Sequence, residues 1–227
     1  MKILLFDIDC TLIITGNAGN KSITRAFENL YGIKDAMVGI KPHGNTDPAI
    51  VQDIFKTKLG KNEVDQKEID EILDKYVSLL PEEIEKSQGY KVLPGIIEIL
   101  KEVERRPDLV GGLATGNLEK GGRIKLERGG LNQYLPFGGF ADGLVDRNHI
   151  IEKAIKVAEE FIGQPINRSD VYIIGDTPRD IIVGKNAGAK TVAIATGIYS
   201  LQELKSHNPD YLFQDLSDYN SFLNIFS

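Results

Sequence analysis

Lys2-Ile3-Leu4-Leu5-Phe6-Asp7-Ile8-Asp9-Cys10-Thr11-Leu12 opens on an apolar run with no polar alternation and then delivers two carboxylates. A run of that kind reads as a strand covered on both faces. Residues two apart along an extended chain point the same way, so Asp7 and Asp9 face one spot. In an open parallel sheet the ligand crevice lies outside the carboxyl ends of the strands, which is where these acids emerge. An isolated Asp-x-Asp pair would serve equally to bind a cation or to cap a turn.

Further along, residues 109–114, 171–174, 191–195 and 211–213 repeat the buried-strand pattern. Helical stripes lie between the later runs, as in Ile151, Ala154, Ile155, Ala158 and Phe161. Strand alternating with helix predicts an α/β fold built on a doubly wound parallel sheet. Residues 14–90 break the rhythm, with no strand pattern and three helical ones. Ile23, Ala26, Phe27 and Leu30 mark the first; Ile50, Val51, Ile54 and Phe55 the second; Ile69, Ile72, Leu73, Tyr76 and Leu80 the third. Asp47-Pro48 predicts the second helix's start, the aspartate as cap and the proline at the first helical position. The expected organisation is therefore a core domain over 1–14 and 91–227 with an all-helical cap domain inserted over 15–90. Thr15-Gly16-Asn17 and Leu93-Pro94-Gly95 form its joints.

The 227 residues are 41% hydrophobic and 26% charged, the balance of an ordinary globular protein. A net charge of -6 argues against nucleic acid and anionic membrane surfaces as partners. If such a chain handles phosphates, it must gather positive charge locally. The single cysteine, Cys10, forms no intrachain disulfide, no Cys/His set has zinc spacing, and the first apolar run is too short for a signal or membrane segment. A cytoplasmic location is expected, and no feature specifies an oligomer.

Two more strand ends carry chemistry. Gly112-Leu113-Ala114-Thr115-Gly116-Asn117 offers a hydroxyl and then a glycine where backbone can approach a ligand oxygen, although Thr-Gly-Asn is also ordinary turn chemistry. It is no Walker loop, since Gly122-Arg123 stands where Lys-Ser/Thr belongs. Ile174-Gly175-Asp176-Thr177-Pro178-Arg179-Asp180 adds two acids at the start of a helix, with Asp176 at the strand end expected as a magnesium ligand in preference to a mere cap, and Asp180 beside it. The helix dipole alone would also favour an acid at Asp180.

Together these three strand ends resemble the haloacid dehalogenase superfamily, in its phosphatase branch similar to phosphoglycolate phosphatase, with a helical cap of the C1 type. Asp7-Ile8-Asp9-Cys10-Thr11-Leu12 matches the first motif, Ala114-Thr115-Gly116-Asn117 the second and Gly175-Asp176-Thr177-Pro178-Arg179-Asp180 the fourth. The resemblance implies a magnesium-dependent phosphatase acting on a small phosphorylated metabolite, a phosphate monoester. Asp7 would be the nucleophile, forming an aspartyl-phosphate, and Asp9 a protonated acid/base partner. Mg2+ would be held by Asp7, the main chain of Asp9 and Asp176, with Asp180 in the same acid group. Thr115, Gly116 and Asn117 would hold phosphate oxygens. The polar stretch 41–47, with Asn45, would face the substrate. The third motif is one basic residue, for which Arg147 is favoured over Lys125 because guanidinium matches phosphate oxygens bidentately. Cys10 occupies a position the family commonly fills with glycine; a small buried side chain is expected there, since no histidine is adjacent to activate a thiolate. A phosphomutase similar to β-phosphoglucomutase, a dehalogenase and a catalytically silent regulatory member are the alternatives; the acids at 9 and 176 count against the dehalogenase.

Overall fold

The computed structural model describes residues 1–226. In chain order the elements are β1 (Lys2–Phe6), β2 (Ile13–Thr15), α1 (Ala18–Tyr31), α2 (Asp47–Leu59), α3 (Gln66–Lys86), β3 (Tyr90–Val92), α4 (Ile96–Arg105), β4 (Leu109–Ala114), α5 (Glu119–Glu127), β5 (Gly138–Gly139), α6 (Arg147–Ile162), β6 (Val171–Gly175), α7 (Pro178–Asn186), β7 (Lys190–Ile194), α8 (Leu201–Ser206), β8 (Tyr211–Phe213) and α9 (Tyr219–Asn224). Six strands form one parallel sheet in the order β5-β4-β1-β6-β7-β8. The chain winds from β1 through β4 to the β5 edge, then crosses back to β6 and winds the other way. The order therefore reverses around β1, and a crevice opens where loops leave neighbouring strands in opposite directions.

Alternation along β1 builds the two faces. Leu4 and Phe6 pack into one cluster with Ile99, Leu100, Phe222 and Phe226, while Ile3 and Leu5 pack into another with Ile151, Ala154, Ile155 and Ala158. Helices α1, α2 and α3 bury a separate core in which Phe27 and Tyr31 meet Phe55 edge-on, at 5.2 and 5.1 Å between ring centroids.

Some details depart from the sequence patterns. The junctions at 13–15 and 90–92 pair as an antiparallel ribbon, Ile13 opposite Val92 and Thr15 opposite Tyr90, so the interval from Ile14 to Tyr90 is bounded by short strands. Three residues each are too few to show a period. The Gly138–Gly139 strand has no side chains to betray it, and added Cβ atoms would lie 2.7 Å from Leu113 and 2.2 Å from the Ile150 carbonyl. Leu30 and Phe161, placed on apolar stripes, are 46% and 55% exposed. Phe161 instead stacks on Phe137 at 4.9 Å. Thr46, not Asp47, caps α2, accepting the Ala49 amide, with Asp47 at the first helical position and Pro48 at the second. Among the described residues no helix is long and apolar enough to cross a membrane.

Gly95 ends the second joint at φ +79°, and a Cβ there would lie 1.7 Å from the Leu216 carbonyl oxygen. Gly95→Ala should cost about 1–3 kcal/mol for the left-handed conformation alone, and more for the overlap. Urea unfolding of the two proteins measures it; equal midpoints would remove the constraint.

Candidate active site

Register sets the site. Phe6 lies opposite both Leu113 and Ile174, so Asp7, the Ala114–Thr115 corner and Asp176 leave three adjacent strands at one level. The Asp7 amide extends the ladder onto the Ile174 carbonyl at 2.9 Å, and the Thr115 amide does the same onto Gly139 at 3.1 Å. Beyond Asp7 the chain coils tightly: the amides of Thr11, Leu12 and Ile13 all donate to the Ile8 carbonyl, and Cys10 N–H donates to Ile13. That coil forces Cys10 to φ +62°, the left-handed region where a glycine carries no penalty. Burial first, then Asp176, Asp9 and Asp7, push the Cys10 thiol up to about 12, so it stays protonated and unreactive.

Asp7, Asp176 and Asp180 are all buried, and one oxygen from each lies within 4.8 Å of the others. Burial raises Asp7 to about 6, opposed by Arg147 and aided by Asp180 and Asp9, while the Thr115 hydroxyl favours the ionised form. Asp176 is raised further, to about 9, by burial and then by Asp180 and Asp7. Arg147, at the first position of α6, is the local counter-charge. Its Nη2 donates to Asp180 at 2.5 Å and lies 3.7 Å from Asp7, while its buried Nε has no partner among the described residues. Asp180 is the most committed acid: one oxygen takes Arg147 and the other closes a capping box with the Thr177 amide (3.1 Å) and hydroxyl (2.6 Å). The remaining pair, Asp7 and Asp176, fits a hard divalent cation, since both donors are carboxylate oxygens and one arginine leaves their mutual repulsion uncompensated. Gly197 leaves room for Asp176, whose Oδ2 would lie 1.8 Å from an added Cβ.

Asp9 sits apart from this crowd. Its Oδ2 accepts from Lys125 Nζ at 2.7 Å and from Asn117 Nδ2 at 2.9 Å. Lys125 Nζ also donates to Asn117 Oδ1 at 2.6 Å, and Asn117 Nδ2 reaches the Thr115 hydroxyl at 2.8 Å. Burial would strip Lys125 of its proton, but Asp9 and Asp47 outweigh it and hold the ammonium. The two basic residues weighed as alternatives thus both reach the site, with different partners: Arg147 meets Asp7 and Asp180, and Lys125 meets Asp9.

The helical insert closes over these groups through polar contacts at the start of α2. Asp47 N–H donates to the Gly116 carbonyl at 2.8 Å, Asp47 Oδ2 accepts the Leu118 amide at 2.9 Å, and the Thr46 hydroxyl donates to Val145 at 3.2 Å. A Cβ on Gly116 would lie 2.3 Å from the Asn45 carbonyl oxygen, so this glycine serves the close approach of the 41–47 stretch. Asn45 lines the cavity, but its amide is engaged: Nδ2 donates to Lys41 at 2.8 Å and Oδ1 accepts from Arg179. A cavity of about 200 Å³ remains between the two parts, reaching from Asp7, Asp9, Asn117 and Asp176 up to Ile23, Asp47, Ile50 and Tyr76. Asp47 ends the 41–47 stretch expected to face the substrate, whereas Tyr76 was not among the expected site residues. Asp47 read as a helix cap and Tyr76 as one position of a core stripe.

A family model described as haloacid dehalogenase-like hydrolase matches residues 4–194. The chain belongs to that family. Pyrophosphatase PpaX of Bacillus velezensis is 26% identical over 221 residues, covering 95% of this chain and 93% of the relative, and the PpaX of Bacillus mycoides is 25% identical over 225 residues. Among solved structures, a hydrolase from Pseudomonas syringae superposes with a TM-score of 0.72 at 19% identity, covering 99% of this chain and 98% of that one. CbbY from Rhodobacter sphaeroides in complex with phosphate gives 0.74 at 14% identity, with 96% of each chain covered. The doubly wound core expected from the strand pattern is the fold of these neighbours, and the chain is a phosphoric-ester hydrolase of this family.

Folded Asp176 keeps its proton to about pH 9, whereas an unfolded aspartate loses it near 3.8. The folded state therefore binds more protons in that window, and without a divalent cation its stability should fall as pH rises from about 4 to 9, with Asp7 contributing up to about 6. Cation binding needs both carboxylates ionised, so the rise in Tm on adding MgCl2 should be small at about pH 5 and several degrees at about pH 8.5. A shift that does not grow with pH would count against a cation at Asp7 and Asp176.

Proposed function

We propose that the protein is a magnesium-dependent phosphatase that hydrolyses small phosphate monoesters through an aspartyl-phosphate on Asp7. The observation that carries this is the separation of two carboxylates two residues apart. Asp7 lies in the buried acid group beside Arg147, while Asp9, with its side chain 39% exposed, faces Lys125 and Asn117. On this reading the buried carboxylate attacks and the more open one handles protons.

In the first step an Asp7 oxygen bonds to phosphorus, the bond to the leaving oxygen breaks, and Asp9 gives that oxygen its proton. Because Asp9 Oδ2 already accepts two hydrogen bonds, the transferred proton belongs on Oδ1. In the second step water attacks phosphorus, Asp9 takes its proton, and the Asp7–phosphorus bond breaks to release phosphate. A magnesium ion held by Asp7 and Asp176, with the Asp9 main chain, would offset the negative charge of nucleophile and phosphate. The unpartnered Arg147 Nε would hold a phosphoryl oxygen, and the Thr115 hydroxyl, buried beside Asp7, would orient the nucleophile and the Thr115–Gly116 corner that holds the others. Arg147 is our choice for the third-motif base on this ground. Residues 15–90 act as the cap, closing the cleft through Thr46 and Asp47 and through the hold of Gly44 and Asn45 on Arg179 of the core, and admitting one water.

Asp7→Asn should fold normally and release no phosphate above background, and EDTA should abolish turnover until magnesium is restored. Steady-state phosphate release tests both; turnover by the variant comparable with wild type would end the aspartyl-phosphate reading. Asp9→Asn should slow kcat by roughly 10²–10⁴, the range for a lost acid/base group.

A further inference from the structure

The wall opposite Asp7 differs in charge from what an anionic leaving group would need. Of the side chains the insert places on the cavity, among them Asn20, Ile23, Asn45, Asp47, Ile50 and Tyr76, with Ile14 beside them and His43 exposed at the mouth, none is lysine or arginine. The two cations on the core side are already matched to acids, Arg147 to Asp7 and Asp180, and Lys125 to Asp9 by an ion pair and to Asp47 through space. Asp47 is the charged group of this wall, and it is 6% exposed. Its position at the first turn of α2 leaves the capping to Thr46, so the carboxylate is free to face inward. Oδ2 accepts the Leu118 amide, and Oδ1 has no hydrogen-bond partner among the described residues. Fully buried Tyr76 stands beside it, its ring running past Gly121. Because Oδ1 opens to the cavity, a ligand hydroxyl can take the place of the water that reaches it.

We infer that the leaving group is an uncharged, hydroxylated alcohol, as in a small polyol or sugar phosphate, with one of its hydroxyls donating to Asp47 Oδ1. The apolar faces of Ile14, Ile23 and Ile50 cover the carbon skeleton. A leaving group bearing a carboxylate or a second phosphate would meet Asp47 with no free cation to offset it, which is discrimination by repulsion. Burial raises Asp47 only to about 6, so this repulsion operates at neutral and higher pH. The inference rests on the phosphatase reading and narrows it. It also separates this chain from the pyrophosphate activity named for its PpaX relatives, because pyrophosphate leaves as an anion.

The test is a kcat/KM panel on the wild-type enzyme and Asp47→Asn with glycerol 3-phosphate, erythritol 4-phosphate, phosphoglycolate, pyrophosphate, ethanolamine phosphate and p-nitrophenyl phosphate. Wild type should favour the polyol esters over phosphoglycolate and pyrophosphate by about a hundredfold or more, a floor set well below the roughly 10⁴–10⁵ that a site built to hydrogen-bond a substrate hydroxyl can reach. Asp47→Asn, which still accepts the Leu118 amide, should narrow that ratio at least tenfold; a merely structural role would lower every substrate alike and leave the ratio unmoved. Equal or better wild-type turnover of phosphoglycolate, pyrophosphate or ethanolamine phosphate overturns the inference even if the variant does not fold, and so does an unchanged ratio in a folded variant. Phosphate release from none of the six, p-nitrophenyl phosphate included, would instead sink the phosphatase reading beneath it.

Discussion

Three aspartates share a space barely large enough for one charge, and the rest of the molecule is arranged around keeping them there. Asp7, Asp176 and Asp180 are brought together by strand register, because β1 and β6 end at the same level. Their repulsion is met from several directions: Arg147 from α6, the Thr177 capping box, and an Asp7–Asp176 pair shaped for a small hard cation. Of the chain's 27 lysines and arginines, the two that are buried among the described residues, Lys125 and Arg147, both stand beside these acids.

Those two cations are not duplicates. Arg147 reaches both Asp180 and Asp7 through Nη2 alone, which leaves the Nε edge of its planar guanidinium unpartnered. Lys125 ties Asp9 to Asn117, and Asn117 to Thr115, so that the second acid and the Thr115 corner form one hydrogen-bonded unit. Removing either partner from such a buried network leaves the other unsatisfied, which makes their effects interdependent.

The central strands were legible because burial on both faces writes a continuous apolar run, and the acids were legible because they follow those runs directly. The helices at 18–31, 47–59, 66–86 and 147–162 showed through their stripes, although Leu30 and Phe161 turned outward where the local surface, not the period, decided. Gly138–Gly139 left no pattern, since its strand character comes from what it packs against. The Lys125–Asp9 contact joins residues more than a hundred positions apart, and Asp47 looked like a cap because its neighbour Thr46 can do the same job. Local chemistry predicts what a residue can do; only tertiary contact decides which of two adjacent residues does it.

The ribbon of β2 and β3 bears on how the helical insert is tethered. The chain enters and leaves that unit through two segments hydrogen-bonded to each other, with Ile13 facing Val92 and Ile14 facing Lys91. Mechanically, two strings stitched side by side behave as a single strap: they bend together and resist being twisted apart. Any swing of the insert is thereby channelled into rotation about one stalk, so that the carboxylate-bearing start of α2 would return to the same latch on the Gly116 and Leu118 backbone after each opening.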